Sequence, residues 1–236
     1  VYGPSVPHLV GLEGRPAIQE GRIIPPQLDP GKPHQELPAG LRVETMPIMS
    51  MGFLVPPGEA VIWRGPMLHG AIQQMLRDTN WGPLDYLIID MPPGTGDIAL
   101  TLSQVLPLSG AIAVCTPQDV ALLDATKAIA MFQKVNIPVL GMVENMSFFS
   151  CPDTNKRYDI FGSGGAKRTA KELDIPFLGE VPIQIPIREH GDAGKTAANF
   201  DDPQARPYLE SICVHLVNGL AARHASKPPM PSLPTL

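Results

Sequence analysis

The sequence has few cysteines, no long apolar run and no excess of basic residues, and each shortage argues against a class of protein. Its three cysteines, Cys115, Cys151 and Cys213, lie far apart, so we expect no disulfide framework and a cytoplasmic setting. No apolar run approaches the roughly 20 residues of a membrane span, so we expect no membrane association. A net charge of -5 argues against a nucleic-acid partner, because phosphate binding needs clustered Lys and Arg.

The length and composition fit one folded domain. With 236 residues, 44% of them hydrophobic, the chain can bury a sizeable core. We predict a single domain over residues 1–224 and a disordered Pro-rich tail over residues 225–236. Because the chain does not begin with methionine, we expect a fragment or an incomplete gene.

Apolar runs of strand length alternate with amphipathic helical patterns along most of the chain. Residues 15–40 are rich in Pro and Gly and predict a long loop. Because the later strands are continuously apolar and separated by helices, they predict an α/β fold with a mostly parallel sheet and helices on both faces. Strands are predicted over 41–51, 86–89, 111–114, 138–143 and 177–181, and helices from about 65, 97, 119, 165 and 203, with Asp97, Asp119 and Asp202 as caps.

A carboxylate and a glycine-rich turn follow one of these strands, over Asp90 to Asp97. At the end of a parallel strand, Asp90 can hold Mg²⁺ through its water shell, and Gly94 and Gly96 let the backbone approach a terminal phosphate. The alternative is a helix-capping turn without a ligand. The Walker A cradle of P-loop proteins, Gly-x-x-x-x-Gly-Lys-Ser/Thr, is absent. The nearest match, Gly191 to Thr196, lacks the first glycine, and we interpret it as a surface turn.

An ordered series of motifs resembles one protein family. From Val1 to about Pro207 the chain resembles the Mrp family of P-loop ATPases, iron–sulfur cluster carriers related to MinD and ParA, without the N-terminal strand and Walker A segment. One such motif would be weak, whereas the whole series is specific. The matching pieces are Tyr2 to Ser5, Gly52 to Val55, Trp63 to Met67, Asp90 to Asp97, Thr116 to Asp124, Val143 to Ser147, Ile160 to Gly162, Gly179 to Pro182 and Ile187 to Glu189.

The resemblance implies a function and a set of site residues. It implies that ATP and Mg²⁺ bind at a homodimer interface, and that ATP hydrolysis is coupled to holding a [4Fe-4S] cluster and passing it to apo iron–sulfur proteins. Asp90 would be the catalytic Mg²⁺-side carboxylate, Gly94 a γ-phosphate contact, Asn145 the adenine reader and Pro182 a further nucleotide contact. Without the resemblance, Asn145 is a turn residue at a strand end. Because the cradle is absent, we expect impaired ATP hydrolysis in this chain.

The cluster-binding motif of the family is incomplete here. The family has Cys-x-x-Cys after the Asn-Met-Ser segment, and Thr154 stands at the position of the second cysteine. Cys151 is therefore the expected cluster ligand, with an ordinary loop thiol as an equal alternative, and Cys115 and Cys213 are expected to be core residues.

Two other functions remain open. One is a MinD or ParA-type partitioning ATPase, which the polar Pro-rich C-terminal segment and the negative net charge disfavour. The other is a non-hydrolysing interaction or scaffold protein that retains the fold, which the absent cradle and Thr154 favour.

Overall fold

The computed structural model describes residues 5–29, 31, 45–54, 65–91, 97–154 and 156–226, without the side chains of residues 65–68 and 97. The chain divides into two units, one formed by residues 1–107 and 184–206 and the other by residues 108–183 and 207–236. The single domain over residues 1–224 stays a prediction. The predicted tail lies outside the described residues from 227 onward.

The helices and strands alternate over much of the described chain. The helices are α1 (Ser5–Val10), α2 (Gly65–Arg77), α3 (Asp97–Val105), α4 (Asp119–Lys134), α5 (Gly165–Glu172), α6 (Ile185–Asp192) and α7 (Arg206–Ala225). The strands are β1 (Ala17–Gln19), β2 (Arg22–Ile24), β3 (Gln27–Leu28), β4 (Met46–Pro47), β5 (Ala111–Cys115), β6 (Val139–Ser150), β7 (Arg157–Tyr158) and β8 (Phe177–Ile183). Short 3₁₀ turns cover Met51–Phe53 and Thr196–Phe200.

The N-terminal part of the first unit contains strands where the sequence predicted a loop. β1 and β2 form an antiparallel hairpin, closed by Glu20 and Gly21 at φ values of 53° and 75°. Positive φ at both turn residues is the type I′ geometry, which matches the twist of the two strands. The hairpin therefore forms although the surrounding sequence is rich in Pro and Gly. The strand predicted over 41–51 is reduced to β4, which pairs with β3, and residues 41–44 lie outside the described residues.

The predicted helices of the first unit are confirmed. α2 begins at Gly65 and buries Ile72 and Met75 along its apolar stripe. α3 begins where predicted and buries Leu102, although Asp97 is its first helical residue and not the predicted cap. The His69 Nδ1 atom lies 2.8 Å from the Thr101 Oγ1 atom, so a polar contact joins the two helices.

The strand predicted over 86–89 is wrong, because these residues form no strand and are largely exposed. Ile88 is 87% exposed and Tyr86 is 58% exposed. A strand persists only when its backbone groups are paired, and no described strand runs beside this segment. Asp90 therefore lies at the end of an exposed segment without regular secondary structure.

The sequence that resembles the end of a phosphate cradle has a structural role in the first unit. Gly194 lies in the left-handed region at φ 69°, and an added Cβ would come within 2.7 Å of the Gly11 Cα atom. The hydroxyl of Thr196 donates a hydrogen bond to the Leu9 carbonyl at the end of α1. The surface-turn interpretation agrees with this geometry, and Pro186 is accommodated in the first turn of α6, the preceding helix.

The second unit contains the α/β sheet that the sequence predicted. β6 is central and pairs in parallel with β5 and β8, while its C-terminal end pairs with β7 in the antiparallel direction. On one face, α4 and α5 bury a core whose members are Ala113, Cys115, Leu122, Ala125, Ile129, Val139, Met142, Ala166 and Ala170. On β5, the alternate residues Ile112 and Val114 stay exposed among the described residues.

Three helix predictions in the second part of the chain need correction. Asp119 is the first residue of α4 and not its cap, because Gln118 occupies the cap position. Asp202 accepts hydrogen bonds from the Gln204 and Ala205 amides, and this turn delays the start of α7 to Arg206. Cys213 is exposed on α7 and is not a core residue.

The described residues also bear on the question of a membrane span. Among them, no helix combines the length and the apolar character that crossing a membrane requires.

Candidate functional site

Asn145 lies opposite Val181, the residue before Pro182, where the regular parallel pairing of β6 with β8 ends. The next pair is Phe149 with Ile183, so three residues of β6 oppose Pro182 alone. The irregular segment begins with Met146, a non-glycine residue in the left-handed region at φ 56°. The Asn145 Oδ1 atom accepts the Met146 N–H at 2.9 Å, so the two amide hydrogens of its Nδ2 atom point elsewhere and can serve an acceptor.

A buried hydroxyl follows directly in the same irregular segment. Ser147 is fully buried, and none of the described residues supplies a hydrogen bond to its Oγ atom. An unpaired buried hydroxyl costs about 1–3 kcal/mol. Together with the left-handed Met146, it shows that this strand end is held in a conformation that local stability alone does not favour.

Glu144 connects this strand end to α5, and sequence reasoning assigned it no role. It is fully buried, and its two carboxylate oxygens accept the Gly164 N–H at 3.2 Å and the Ala166 N–H at 2.7 Å. The carboxylate thereby satisfies backbone donors at the positive end of the helix. The available sequence signal was the charge of Glu144, because this residue directly follows the apolar run 139–143.

A half-open cavity of about 470 Å³ lies against this carboxylate within the second unit. Glu180 and Lys167 add opposite charges to its wall, and α7 adds the phenol of Tyr208 and the hydroxyl of Ser211. The wall therefore mixes charged, polar and aromatic groups.

Cys151 lies in the cysteine hairpin, which we define as residues Phe148 to Tyr158, formed by the end of β6 and by β7. The hairpin is closed by a hydrogen bond from the Cys151 N–H to the Lys156 carbonyl, at 3.0 Å. The thiol is partly exposed, and hydrogen bonds from the Thr154 hydroxyl and then from the Asp153 and Thr154 amides lower its pKa below the ordinary cysteine value. These donors favour the thiolate, which is the form that binds iron.

The other two cysteines are chemically different. Burial, followed by the nearby Glu144 charge, raises the pKa of Cys115 to about 11, which agrees with its predicted core position. Cys213 is exposed, and desolvation and then Glu210 raise its pKa. All three cysteines are free thiols.

The remaining predicted site residues belong to the first unit. Asp90 is exposed and lies at the end of the segment described above, and Gly94 lies outside the described residues. Within the described part of the chain, no group of three or more His, Cys, Asp or Glu side chains is arranged to hold a metal ion.

Comparison with known proteins gives consistent results. A family model described as "ParA: NUBPL iron-transfer P-loop NTPase" matches residues 1–217. The chain is 43% identical over 231 residues to a mouse protein, "Iron-sulfur cluster transfer protein NUBPL", covering 97% of this chain and 66% of the relative. It is 48% identical over 200 residues to an "Iron-sulfur cluster carrier protein" of Synechocystis, covering 82% of this chain and 52% of the relative.

One solved structure supports the same assignment. A nucleotide-binding protein of Archaeoglobus fulgidus, solved in complex with ADP, superimposes with a TM-score of 0.67 at 35% identity and covers 86% of this chain and 73% of that one. The chain spans between about half and two thirds of the length of the curated relatives named above. From the family match, the relatives and the shared α/β fold together, the chain belongs to the ParA group of P-loop NTPases, in the NUBPL iron-transfer family.

Proposed function

We propose that this chain is part of an ATP-dependent iron–sulfur cluster carrier, in which Cys151 binds the cluster as cargo. The names of the relatives, which describe iron–sulfur cluster carriers and transfer proteins, support this function. The observation that carries it on this chain is the cysteine hairpin, which presents a partly exposed Cys151 thiol whose pKa is lowered by hydrogen bonds from the Thr154 hydroxyl and from the Asp153 and Thr154 amides. Transfer to an apo iron–sulfur protein then requires only that the recipient's thiolates replace Cys151 at iron.

A hairpin with one thiol favours a shared cluster. A [4Fe-4S] cluster is held by four thiolates in its common form, and one chain supplies one from this hairpin. A homodimer would supply two, and the recipient or small thiols would supply the others. In this arrangement Thr154 is a hydrogen-bond donor to the ligand and not a ligand itself.

Four residues are proposed to contact the nucleotide and its Mg²⁺, each argued from its own unit. Asn145 on β6, and Pro182, which follows its pairing partner Val181 on β8, fit contacts to an adenine base, since the Nδ2 atom of Asn145 can donate to a ring nitrogen. Asp90 is proposed for the Mg²⁺ side and Gly94 for the γ-phosphate. Three widely spaced free thiols support a reducing cytoplasm as the compartment.

A non-hydrolysing scaffold is the second candidate. The exposed segment before Asp90 favours it, because no described strand runs beside this segment and it does not form the sheet edge at which such ligands gather. Because ATP hydrolysis is expected to be impaired in this chain, residual turnover separates the two functions. A carrier ATPase retains slow, Mg²⁺-dependent turnover that Asp90→Asn and Asn145→Ala reduce further, whereas the scaffold shows no turnover in any variant.

Iron binding tests the cargo directly. The chain is purified without oxygen, reconstituted with ferrous iron, sulfide and a small thiol, and analysed for iron and sulfide per chain. We expect Cys151→Ser to abolish the bound iron, and Thr154→Cys to increase it by restoring Cys-x-x-Cys. Cys213→Ser is the matched control, because it removes an exposed thiol outside the hairpin. Equal iron in the wild-type chain and in Cys151→Ser would refute the assignment.

A further inference from the structure

One guanidinium group joins the two strands of the cysteine hairpin to each other. Arg157 opposes Ser150 across the strand pair, so Phe148 is its diagonal neighbour on the same face. The Arg157 Cζ atom lies 4.0 Å from the centroid of the Phe148 ring, which is a stacked cation–π contact. Phe148 is itself buried, so the ring is a fixed platform.

Hydrogen bonds fix the orientation of the same guanidinium. The Arg157 Nε atom donates to the Asp159 Oδ1 atom at 2.8 Å, and its Nη2 atom lies 3.5 Å from the Ser163 Oγ atom. The bond to Asp159 raises the pKa of Arg157, so the group stays charged. Arg157 thus joins the strand after the Cys151 turn to the ring before it and to the segment leading into α5.

The stack continues toward the cavity beside Glu144. The Phe148 and Tyr208 rings meet edge to face, with centroids 6.1 Å apart and an interplanar angle of 69°. Tyr208 lines the cavity together with Glu180, and both residues act electrostatically on Arg157. A continuous series of contacts therefore runs from the cavity wall through two rings to the cysteine hairpin.

We propose that Arg157 is a positioning residue, which holds the β7 strand of the cysteine hairpin against Phe148 of β6 so that Cys151, in the turn between them, is presented in one defined orientation. The functional meaning of this role rests on the proposed function, because only a cluster ligand needs such placement. Arg157 contacts neither the thiol nor the cargo and acts through the shape of the turn that it closes. Lysine cannot replace it fully, since lysine lacks the planar fork that both stacks and donates sideways.

The first test uses metal-free protein, so that it does not depend on cluster binding. In a Cys213→Ser background, the rate of Cys151 alkylation is measured as a function of pH, together with amide hydrogen exchange of the hairpin. We expect Arg157→Gln to shift the alkylation profile toward higher pH and to speed exchange by about two- to fivefold, the change expected for losing one exposed guanidinium–ring contact. Arg157→Lys should lie between Arg157→Gln and the unsubstituted chain.

Two further variants separate positioning from general stability. Lys156→Gln is the matched control, since Lys156 is an adjacent cation whose Nζ atom lies over Tyr158, 5.2 Å from that ring centroid, within the hairpin itself. Phe148→Leu keeps an apolar side chain but removes the ring, and it should reproduce Arg157→Gln. The double variant should then add little to either single one, because both remove the same contact.

The second test uses reconstituted protein and measures iron loss to a chelator. Faster loss from Arg157→Gln than from Lys156→Gln, at equal unfolding midpoints, supports the proposal. Identical alkylation profiles and hairpin exchange in Arg157→Gln, Lys156→Gln and the unsubstituted chain would overturn it. If the unsubstituted chain binds no iron, the carrier function fails, and the metal-free measurements still decide whether Arg157 holds the hairpin.

Discussion

Replacing Glu144 should destabilise the second unit more than any surface substitution. Its carboxylate is fully buried and accepts backbone N–H groups of Gly164 and Ala166 at the start of α5. Glu144→Ala leaves the buried Ala166 donor and the part-buried Gly164 donor without this acceptor, and each hydrogen bond to a charged group contributes about 1.5–3 kcal/mol. Glu144→Gln keeps the shape but offers one acceptor for two donors, so it should cost about 2–3 kcal/mol.

The assay must report on the second unit. Both tryptophans, Trp63 and Trp81, belong to the first unit, so tryptophan fluorescence does not serve. Urea unfolding followed by hydrogen exchange of β6 and α5 does serve. With a slope of about 1–3 kcal/mol per molar urea, Glu144→Ala should lower the midpoint by about 1 M or more.

A matched control sits at the opposite end of the same helix. Glu172 is exposed in the last turn of α5, where a negative charge is unfavourable to the helix dipole. Glu172→Gln should therefore be neutral or stabilise the unit by about 0.3–1 kcal/mol. If Glu144→Gln and Glu172→Gln gave the same midpoint, the buried carboxylate would have no structural role and the reasoning would be refuted.

Three smaller predictions follow from single contacts. Ser147→Ala should not destabilise the second unit in urea unfolding, because no described residue hydrogen-bonds its buried Oγ atom; a loss above about 1 kcal/mol would contradict this. Gly194→Ala should cost the first unit about 1–3 kcal/mol, seen by tryptophan fluorescence, from a left-handed φ and a Cβ that meets backbone. Alkylation, followed by mass spectrometry, should label Cys151 first, because its pKa is lowered, and Cys213 second. Cys115 should be labelled last, because a pKa of about 11 leaves about one thiol in three thousand ionised at pH 7.5. Faster labelling of Cys115 than of Cys151 at that pH would disprove this order.

The sequence predicted the elements whose pattern and packing agree. The strands β5, β6 and β8 each begin with an apolar run, and α4 places Leu122 and Ile129 on one face, so the hydrophobic pattern located them. The start of α4 was placed correctly although its capping residue was not. Asp is favourable both at the cap and in the first turn of a helix. The backbone conformation decides between them, and here Gln118 is extended and takes the cap position.

The features around the cysteine hairpin could not be predicted in the same way. Phe148 and Arg157 are nine residues apart in the sequence, and their stacking depends on the register of β6 with β7. No periodic pattern reports such a diagonal pair, because β7 has two residues. The left-handed Met146 is likewise invisible in sequence, since methionine has no preference for positive φ.

In the exposed segment before Asp90, the structure differs from what the hydrophobic pattern of the sequence predicts. Its apolar residues are those of a buried parallel strand, yet Ile88 is 87% exposed and no described strand pairs with it. A hydrophobic pattern encodes a preference for burial, whereas a strand also needs a hydrogen-bonding neighbour, which local sequence does not specify. The proposed Mg²⁺ role of Asp90 therefore depends on whatever fixes this segment, and the turnover of Asp90→Asn measures that dependence directly.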